Sequence, residues 1–304
     1  MVNIVTKKIK GKEYLYLVHS VREKEKVLQK TIKYIGKKRP ISKDEFECMV
    51  LSYKNIDWVL EFKDELSYKE HELLKKASDN YKIYINNLDA SSKEKEREKF
   101  LSKFLSDSNA IEGSTLSSKE TYNFLFKDIV PEGHTKKELF MASNLLKAWI
   151  YIEKNLTKFP TEADIKILHS LVNRDIETDA TLGKYKKVQN YVGDVYTTSF
   201  LFVDEKMKKL IEWIKEAYKK VNDFEVAFQS HAQFEIIHPF VDGNGRVGRL
   251  LMNWLLMYRG LTPYAISNNN RSHYTSALLN SQRGKIEAIC KFCYKEYIQQ
   301  HKFF

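Results

Sequence analysis

Two stretches of helical periodicity meet at Pro239, and the residues that join them, His238 to Arg249, constrain this chain more than any other segment. Upstream, Phe224, Phe228, Ala232 and Ile236 recur at helical spacing, with Asn222 or Asp223 as the cap, so a helix delivers His238 at its C-terminal end. Pro239 stops that helix. Downstream, Leu250, Leu251, Trp254, Leu255 and Tyr258 mark a second helix that begins near Asn244 or Gly245. Its first turn directs unpaired backbone N–H groups into the loop, a favourable place for an anion.

The loop residues fit that anion. Gly243 and Gly245 let the backbone turn and approach a phosphate that a Cβ would obstruct. Arg246 and Arg249, three apart on the new helix, supply planar donors for phosphate oxygens. Asp242 offers a hard oxygen for Mg²⁺, and His238 is the general base, imidazole being the side chain best suited to take a proton near neutral pH. A lone His before Pro is ordinarily a cap, and Gly-Asn-Gly alone is ordinarily a turn. Their joint occurrence with Asp242, Arg246 and Arg249 favours a site for a nucleotide polyphosphate.

The run His238-Pro239-Phe240-Val241-Asp242-Gly243-Asn244-Gly245-Arg246-Val247-Gly248-Arg249 resembles the signature of the Fic family. With about seven near-fixed positions, a chance match in one window is on the order of one in a billion. The resemblance covers roughly residues 91–304. It implies transfer of AMP from ATP to a Ser, Thr or Tyr hydroxyl of a target protein. His238 would deprotonate that hydroxyl, Gly243, Asn244 and Gly245 would line an anion hole, Asp242 would hold Mg²⁺, and Arg246 and Arg249 would hold the outer phosphates. The related Doc kinases place Lys where Gly245 stands, so Gly245 favours AMP transfer over phosphorylation.

A second motif, Ser108-Asn109-Ala110-Ile111-Glu112-Gly113, resembles the family's inhibitory motif in the subgroup with an N-terminal inhibitory helix. A helix near 92–112, starting at Ser91 with Glu94 as a capping box, carries Phe100, Leu101, Phe104 and Leu105 on one face and can aim Glu112 at Arg249. That pairing would withhold the guanidinium from ATP, and Glu112 would also orient water for removal of AMP. The bland reading is a solvated Glu in a helix-ending turn.

From Gly183 to Phe200 the alternation of Val188, Val192 and Val195 about Gly193-Asp194 predicts a hairpin. It is the expected flap for target docking, with Lys184, Tyr185 and Lys186 at its start. Lys186 stands where the family usually has Arg, and Thr197-Thr198 where a Pro pair often follows. Tyr274 resembles the first aromatic of a Tyr pair, Thr275 replacing the second, and Gln282 occupies the place of an adenine contact.

The expected fold is therefore mainly α: a Fic-type helical bundle with a β-hairpin flap, preceded by a small N-terminal antiparallel β unit. Residues 1–40 read as that basic sheet, with strands at Val2 to Lys8, Tyr14 to Val21 and Val27 to Ile35, turning at Lys10-Gly11-Lys12 and Glu23-Lys24-Glu25. Residues 41–90 read as a charged helical linker with apolar faces at Phe46, Val50, Leu51 and at Trp58, Val59, Phe62, Leu66. Residues 91–304 form the catalytic unit, with further helix starts at Thr135/Glu138 and Thr161/Asp164.

The net charge of +11 implies attraction to acidic partners. Tyrosines and lysines of the sheet can contact nucleic acid, although packing or target docking is the favoured reading. No run of eighteen apolar residues or apolar leader exists, so a cytoplasmic protein without a membrane span is expected. Cys48, Cys290 and Cys293 are an odd set without a second pair or nearby His set, which argues against disulfide, metal or redox roles. Expected partners are ATP and a target protein, with a homodimer as the assembly the family suggests. The reading from another class is an ATP-sensing or nucleic-acid-binding adaptor whose site does not turn over.

Overall fold

Alternation of apolar residues and tight turn chemistry build the N-terminal sheet first. The computed structural model describes residues 1–23, 26–57, 59–193 and 195–302; Lys24, Glu25, Trp58 and Asp194, which figure in the expected turns and apolar face, lie outside the described residues. Strands β1 (Val2–Ile9), β2 (Lys12–Glu23) and β3 (Lys26–Lys37) pair antiparallel in the order β1-β2-β3. Lys10 and Gly11, at φ 48° and 78°, make the two-residue turn whose twist suits a hairpin. One face of the sheet buries Leu15, Leu17 and Ile35 against Met49 and Phe202.

Helix α1 (Lys43–Lys54), capped by Ser42, supplies Met49 to that small core. Its buried face carries Cys48 and Met49, whereas Leu51 of the expected apolar face is 43% exposed. Periodicity predicts a face but cannot say which neighbour arrives, and here the neighbour is the sheet.

The expected helix through residues 59–66 does not form. Glu225, fully buried, accepts the backbone N–H groups of Glu65 (2.8 Å) and Leu66 (2.7 Å) together with His71 Nε2 (2.8 Å), which holds this segment in an irregular path. Phe62 stacks on Trp213 at 5.9 Å and Leu66 enters the main core. Asp64, His71 and Glu225 bring ligand atoms within 4.8 Å of one another. Those atoms are already occupied, because Asp64 also caps the Asn222 N–H at 2.8 Å, so the cluster reads as a latch.

The helical body follows: α2 (Tyr68–Asn86), α3 (Ala90–Ile111), α4 (Ser118–Phe126), α5 (Lys136–Lys154) and α6 (Glu162–Val172). Thr135 with Glu138 and Thr161 with Asp164 form reciprocal capping boxes as their spacing predicts. Helix α3 starts earlier than expected, because Asp89 rather than Ser91 caps it, accepting the Ser92 N–H at 3.0 Å. It ends at Glu112, and Gly113 follows at φ 100°.

Strands β4 (Tyr191–Val192) and β5 (Val195–Tyr196) make a hairpin far shorter than the expected span from Gly183 to Phe200. Lys184, Tyr185 and Lys186 precede it in irregular chain, since Lys186 bonds its backbone N–H to Pro239 O instead of a strand partner.

Helices α7 (Val203–Ala217), α8 (Asp223–Ile237), α9 (Asn244–Tyr258), α10 (Arg271–Gln282) and α11 (Glu287–His301) complete the bundle. Phe228, Phe234, Leu250, Leu251, Trp254 and Leu255 are fully buried, so α8 and α9 form the centre and flank the intervening loop. Cys290 and Cys293 are buried on α11 as free thiols. Among the described residues no helix is long and apolar enough to cross a membrane.

Candidate active site

The C-terminal residue of α8 sets the geometry. His238 caps that helix in the left-handed region (φ 50°, ψ 61°), its N–H bonding Phe234 O at 2.8 Å. An L residue there costs on the order of 1–2 kcal/mol, a cost the packing of the loop must offset. The imidazole Nδ1 is buried with Glu235 Oε2 at 3.6 Å, which leaves Nε2 as the nitrogen that can meet a substrate. Burial raises the Glu235 carboxyl pKa, but His238, His231 and Arg249 outweigh it and hold the group below its ordinary value.

The loop is fastened from below. Phe240 is fully buried and stacks on His169 at 3.9 Å, while the Asn244 amide accepts from Phe240 N and donates to Phe240 O, both at 2.9 Å. The Asn244 side chain is thus a brace, and only its backbone N–H is left to the helix start. Gly243, at φ 74°, lies so close to Asn173 that a Cβ would come within 2.5 Å of its Nδ2. Burial pushes His169 down to about 4, and its Nδ1 accepts the Gly183 N–H at 3.0 Å.

Arg246 is buried and gives Nη2 to Asn173 Oδ1 at 2.9 Å. Its Nε and Nη1 are buried with no partner among the described residues, and Asp242 Oδ2 stands 3.9 Å from Nη2. Buried guanidinium donors are seldom left unpaired, so they mark a place for an anion. Asp242 itself is open to solvent, its side chain 58% exposed, with Oδ1 accepting the Gly243 N–H.

Arg249 is fully buried and fully engaged. It donates Nε to Ser108 Oγ (2.9 Å) and Nη2 to both Ser108 O (2.8 Å) and Glu112 Oε1 (2.7 Å). Burial alone would lower its pKa; the Tyr274 hydroxyl and the Glu112 carboxylate raise it above the ordinary value. Gly245 makes room for this pair, because a Cβ there would run into Glu112 Oε1 and sit 3.1 Å from Arg249 Nη1.

Of the residues expected from sequence, His238, Asp242, Gly243, Asn244, Gly245, Arg246, Arg249, Ser108 and Glu112 converge on this one loop. Tyr274 lies beneath Arg249: it is 2% exposed, and its hydroxyl meets His231 Nε2 at 2.7 Å and Arg249 Nη1 at 3.4 Å. Gln282 lines a cavity of about 500 Å³ with Gln233, Ile236, Ile237, Thr197 and Thr198, and both Gln282 Oε1 and Gln233 Nε2 are buried without a partner. Lys186 is not at a docking surface. It is 3% exposed and donates to Asn190 Oδ1 (2.5 Å) and Thr197 Oγ1 (2.9 Å), while Tyr185 packs on Phe240 and Lys184 is exposed.

Sequence reasoning missed His231, Glu235, His169 and Asn173. Two pairs of polar residues four apart on otherwise apolar helices were the available signal, since such pairs share a face that must be buried with partners.

A helix-loop-helix that buries one guanidinium with two donors unengaged and one fully engaged, with an imidazole at its mouth, defines a helical fold built around a polar loop. The sequence profile of the Fic/DOC family matches residues 159–256, so a Fic/DOC domain is detected over that segment. A second profile, the N-terminal domain of the IS1634 family transposase, matches residues 2–55. Similar curated proteins include protein adenylyltransferase fic-1 of Caenorhabditis elegans, 27% identical over 61% of this chain and 37% of its own length. Protein adenylyltransferase Fic of Culex quinquefasciatus is 29% identical over 75% of this chain and 46% of its own. The chain thus spans less than half the length of these two relatives. A solved Fic domain containing signaling protein from Bacteroides thetaiotaomicron superposes at a TM-score of 0.67, 22% identical, covering 77% of this chain and 95% of that one. The observed fold, mainly helical with a short hairpin and an N-terminal antiparallel sheet, is the one the family resemblance implied.

Proposed function

We propose that this chain transfers AMP from ATP to a Ser, Thr or Tyr hydroxyl of a target protein and that Glu112 restrains the reaction. The carrying observation is the buried Arg246, whose Nε and Nη1 have no partner beside the glycine turn and the His238 imidazole. The names of the curated relatives support adenylyl transfer as the reaction class.

In this reading the first-turn N–H groups of α9 and the Arg246 donors hold the phosphates. The target hydroxyl gives its proton to His238 Nε2 as its oxygen bonds to the α-phosphorus. The bond from that phosphorus to the bridging oxygen breaks, and pyrophosphate leaves with the electron pair. Glu235, 3.6 Å from Nδ1, favours the charge the imidazole gains with that proton. Asp242 fits Mg²⁺ and would hold it, being an open carboxylate beside the glycine turn that offers a hard oxygen ligand. The ion would supply charge neutralisation of the phosphates. The cavity beside Gln282 and Gln233 is proposed for the nucleobase, with their orphaned amide groups as its polar contacts. Target docking falls to the hairpin edge and Lys184, with Tyr185 and Lys186 as supports.

Glu112 and Ser108 hold Arg249 away from the outer phosphates, which supports autoinhibition, and a carboxylate so placed can also orient water for removal of AMP. The match of residues 2–55 to a profile of its own supports a first unit of sheet plus α1, ahead of the helical linker and the catalytic helices that begin near residue 90. The test is incubation of the Glu112→Gly variant with lysate protein, Mg²⁺ and either α- or γ-labelled ATP. Label from the α position alone, lost on His238→Ala, is expected; label from the γ position would make the protein a kinase, and none from either would remove the enzymatic reading.

A further inference from the structure

We infer that the outer face of the N-terminal sheet is a binding surface for single-stranded nucleic acid, a function independent of the His238 loop. Most of the net charge of the chain lies in the segment that forms this sheet. Residues 1–39 hold twelve Lys and Arg against three Glu, so nine of the eleven net positive charges of the chain fall in its first 39 residues.

The two faces of the sheet differ in what covers them. Leu15, Leu17 and Ile35 are buried against α1 and the turn at 200–202. On the opposite face Tyr14, Tyr16 and Tyr34 lie side by side, with ring centroids 6.0 Å apart for Tyr14 and Tyr34 and 5.3 Å for Tyr16 and Tyr34. Tyr34 is 51% exposed. Cross-strand register puts Lys7 and Lys37 opposite Tyr14, and Lys12 shares its face two residues away. Lys7 sits 4.8 Å over the Tyr16 ring and reaches Thr31 Oγ1 at 3.1 Å. Among the described residues, no carboxylate pairs with Lys7, Lys8, Lys10, Lys12 or Lys37.

That combination selects one occupant. An acidic protein would satisfy the lysines but brings no regular series of planar groups, spaced along a charged backbone, to set against Tyr34. A duplex hides the faces of its bases. A single strand offers phosphates spaced along its backbone and bare bases that stack on tyrosine, which is the chemistry displayed here. Strands of eight to twelve residues span roughly 26–40 Å, enough for several nucleotides.

Fluorescence anisotropy of the full chain with a labelled oligothymidine of about twelve nucleotides tests this. With about four phosphates neutralised, affinity should fall by roughly fiftyfold between about 50 and 200 mM salt. Tyr34→Ala should weaken binding by about 5- to 150-fold and Tyr34→Phe should retain it, since stacking needs the ring. Excess MgATP should not compete, and AMP transfer by the Glu112→Gly protein should be unchanged by Tyr34→Ala. Equal affinity for polyglutamate, tighter binding of a duplex that ignores Tyr34→Ala, or displacement by MgATP would each overturn the assignment.

Discussion

Arg249 Nη2 and Glu112 Oε1 lie 2.7 Å apart although 137 residues separate them in the chain, and the carboxylate is the more accessible partner, 34% exposed against 2% for the guanidinium. Because Ser108 O, Ser108 Oγ and Tyr274 also face Arg249, removing the carboxylate does not strand the charge. Glu112→Gly should therefore fold with little loss of Tm and incorporate α-label about tenfold faster or more, a coupling of roughly 1–3 kcal/mol. A rate no higher than wild type would end the inhibitory role.

His238 combines chemistry with a strained backbone. His238→Gly relieves φ 50° and should raise stability by about 1 kcal/mol, while lowering AMP transfer by about 10²–10⁴-fold. Denaturant melts and initial rates on the same variant separate the two effects. A parallel fall in stability and rate would show the imidazole to be a structural cap.

Gly245 and Glu112 compete for one space. Gly245→Ala alone should lower stability by about 1–2 kcal/mol, because the new Cβ would overlap Glu112 Oε1 in a packed site that has little room to give. In the Glu112→Gly background the same change should cost much less, a coupling of about 1 kcal/mol in a double-mutant cycle. Additive costs would mean the methyl group meets something else.

Lys186 links pH to stability. Burial pushes its pKa from 10.5 down to about 7, so from pH 7 upward the unfolded chain holds the proton that the folded chain has released. Stability contributed by this position therefore rises between pH 7 and 9. Above that window Cys48, raised by burial to about 11, opposes it, because the unfolded thiol ionises first. Lys186→Met should be more stable than wild type at pH 7 by about 1 kcal/mol or more, and the gap should narrow by pH 9. Chemical denaturation across that range measures it, and a constant gap would refute the assigned burial effect.

His231 and His169 predict the acid limb. Both are pushed down to about 4 by burial, so the unfolded state takes up protons first as pH falls below 6.5. Tm should drop steadily between pH 6.5 and 4, and His169→Phe, which keeps a ring against Phe240, should flatten part of that slope. Identical slopes for the variant and wild type would remove His169 as a cause.

The local elements were legible because their causes are local. Pro239, the glycines and the apolar period fixed the helix ends at His238 and Asn244; Thr135 and Thr161 announced their capping boxes; and Lys10-Gly11 announced its turn. The loop residues also declared their chemistry, since base, carboxylate, glycines and arginines stand within one segment. The sequence alone thus determined the helix-loop-helix, the basic sheet and the roster of the loop.

Only the tertiary structure decided what meets that loop. Glu225 straightened a segment that periodicity made helical, Lys186 went inward to brace the hairpin, and Tyr274 went beneath Arg249 instead of into the cavity. The Glu225 contact spans 159 residues of chain, and the other two depend on which side of the segment is covered when the elements pack. Hydrogen-bond demand and burial are settled when elements pack, and spacing along the chain carries no record of the partner.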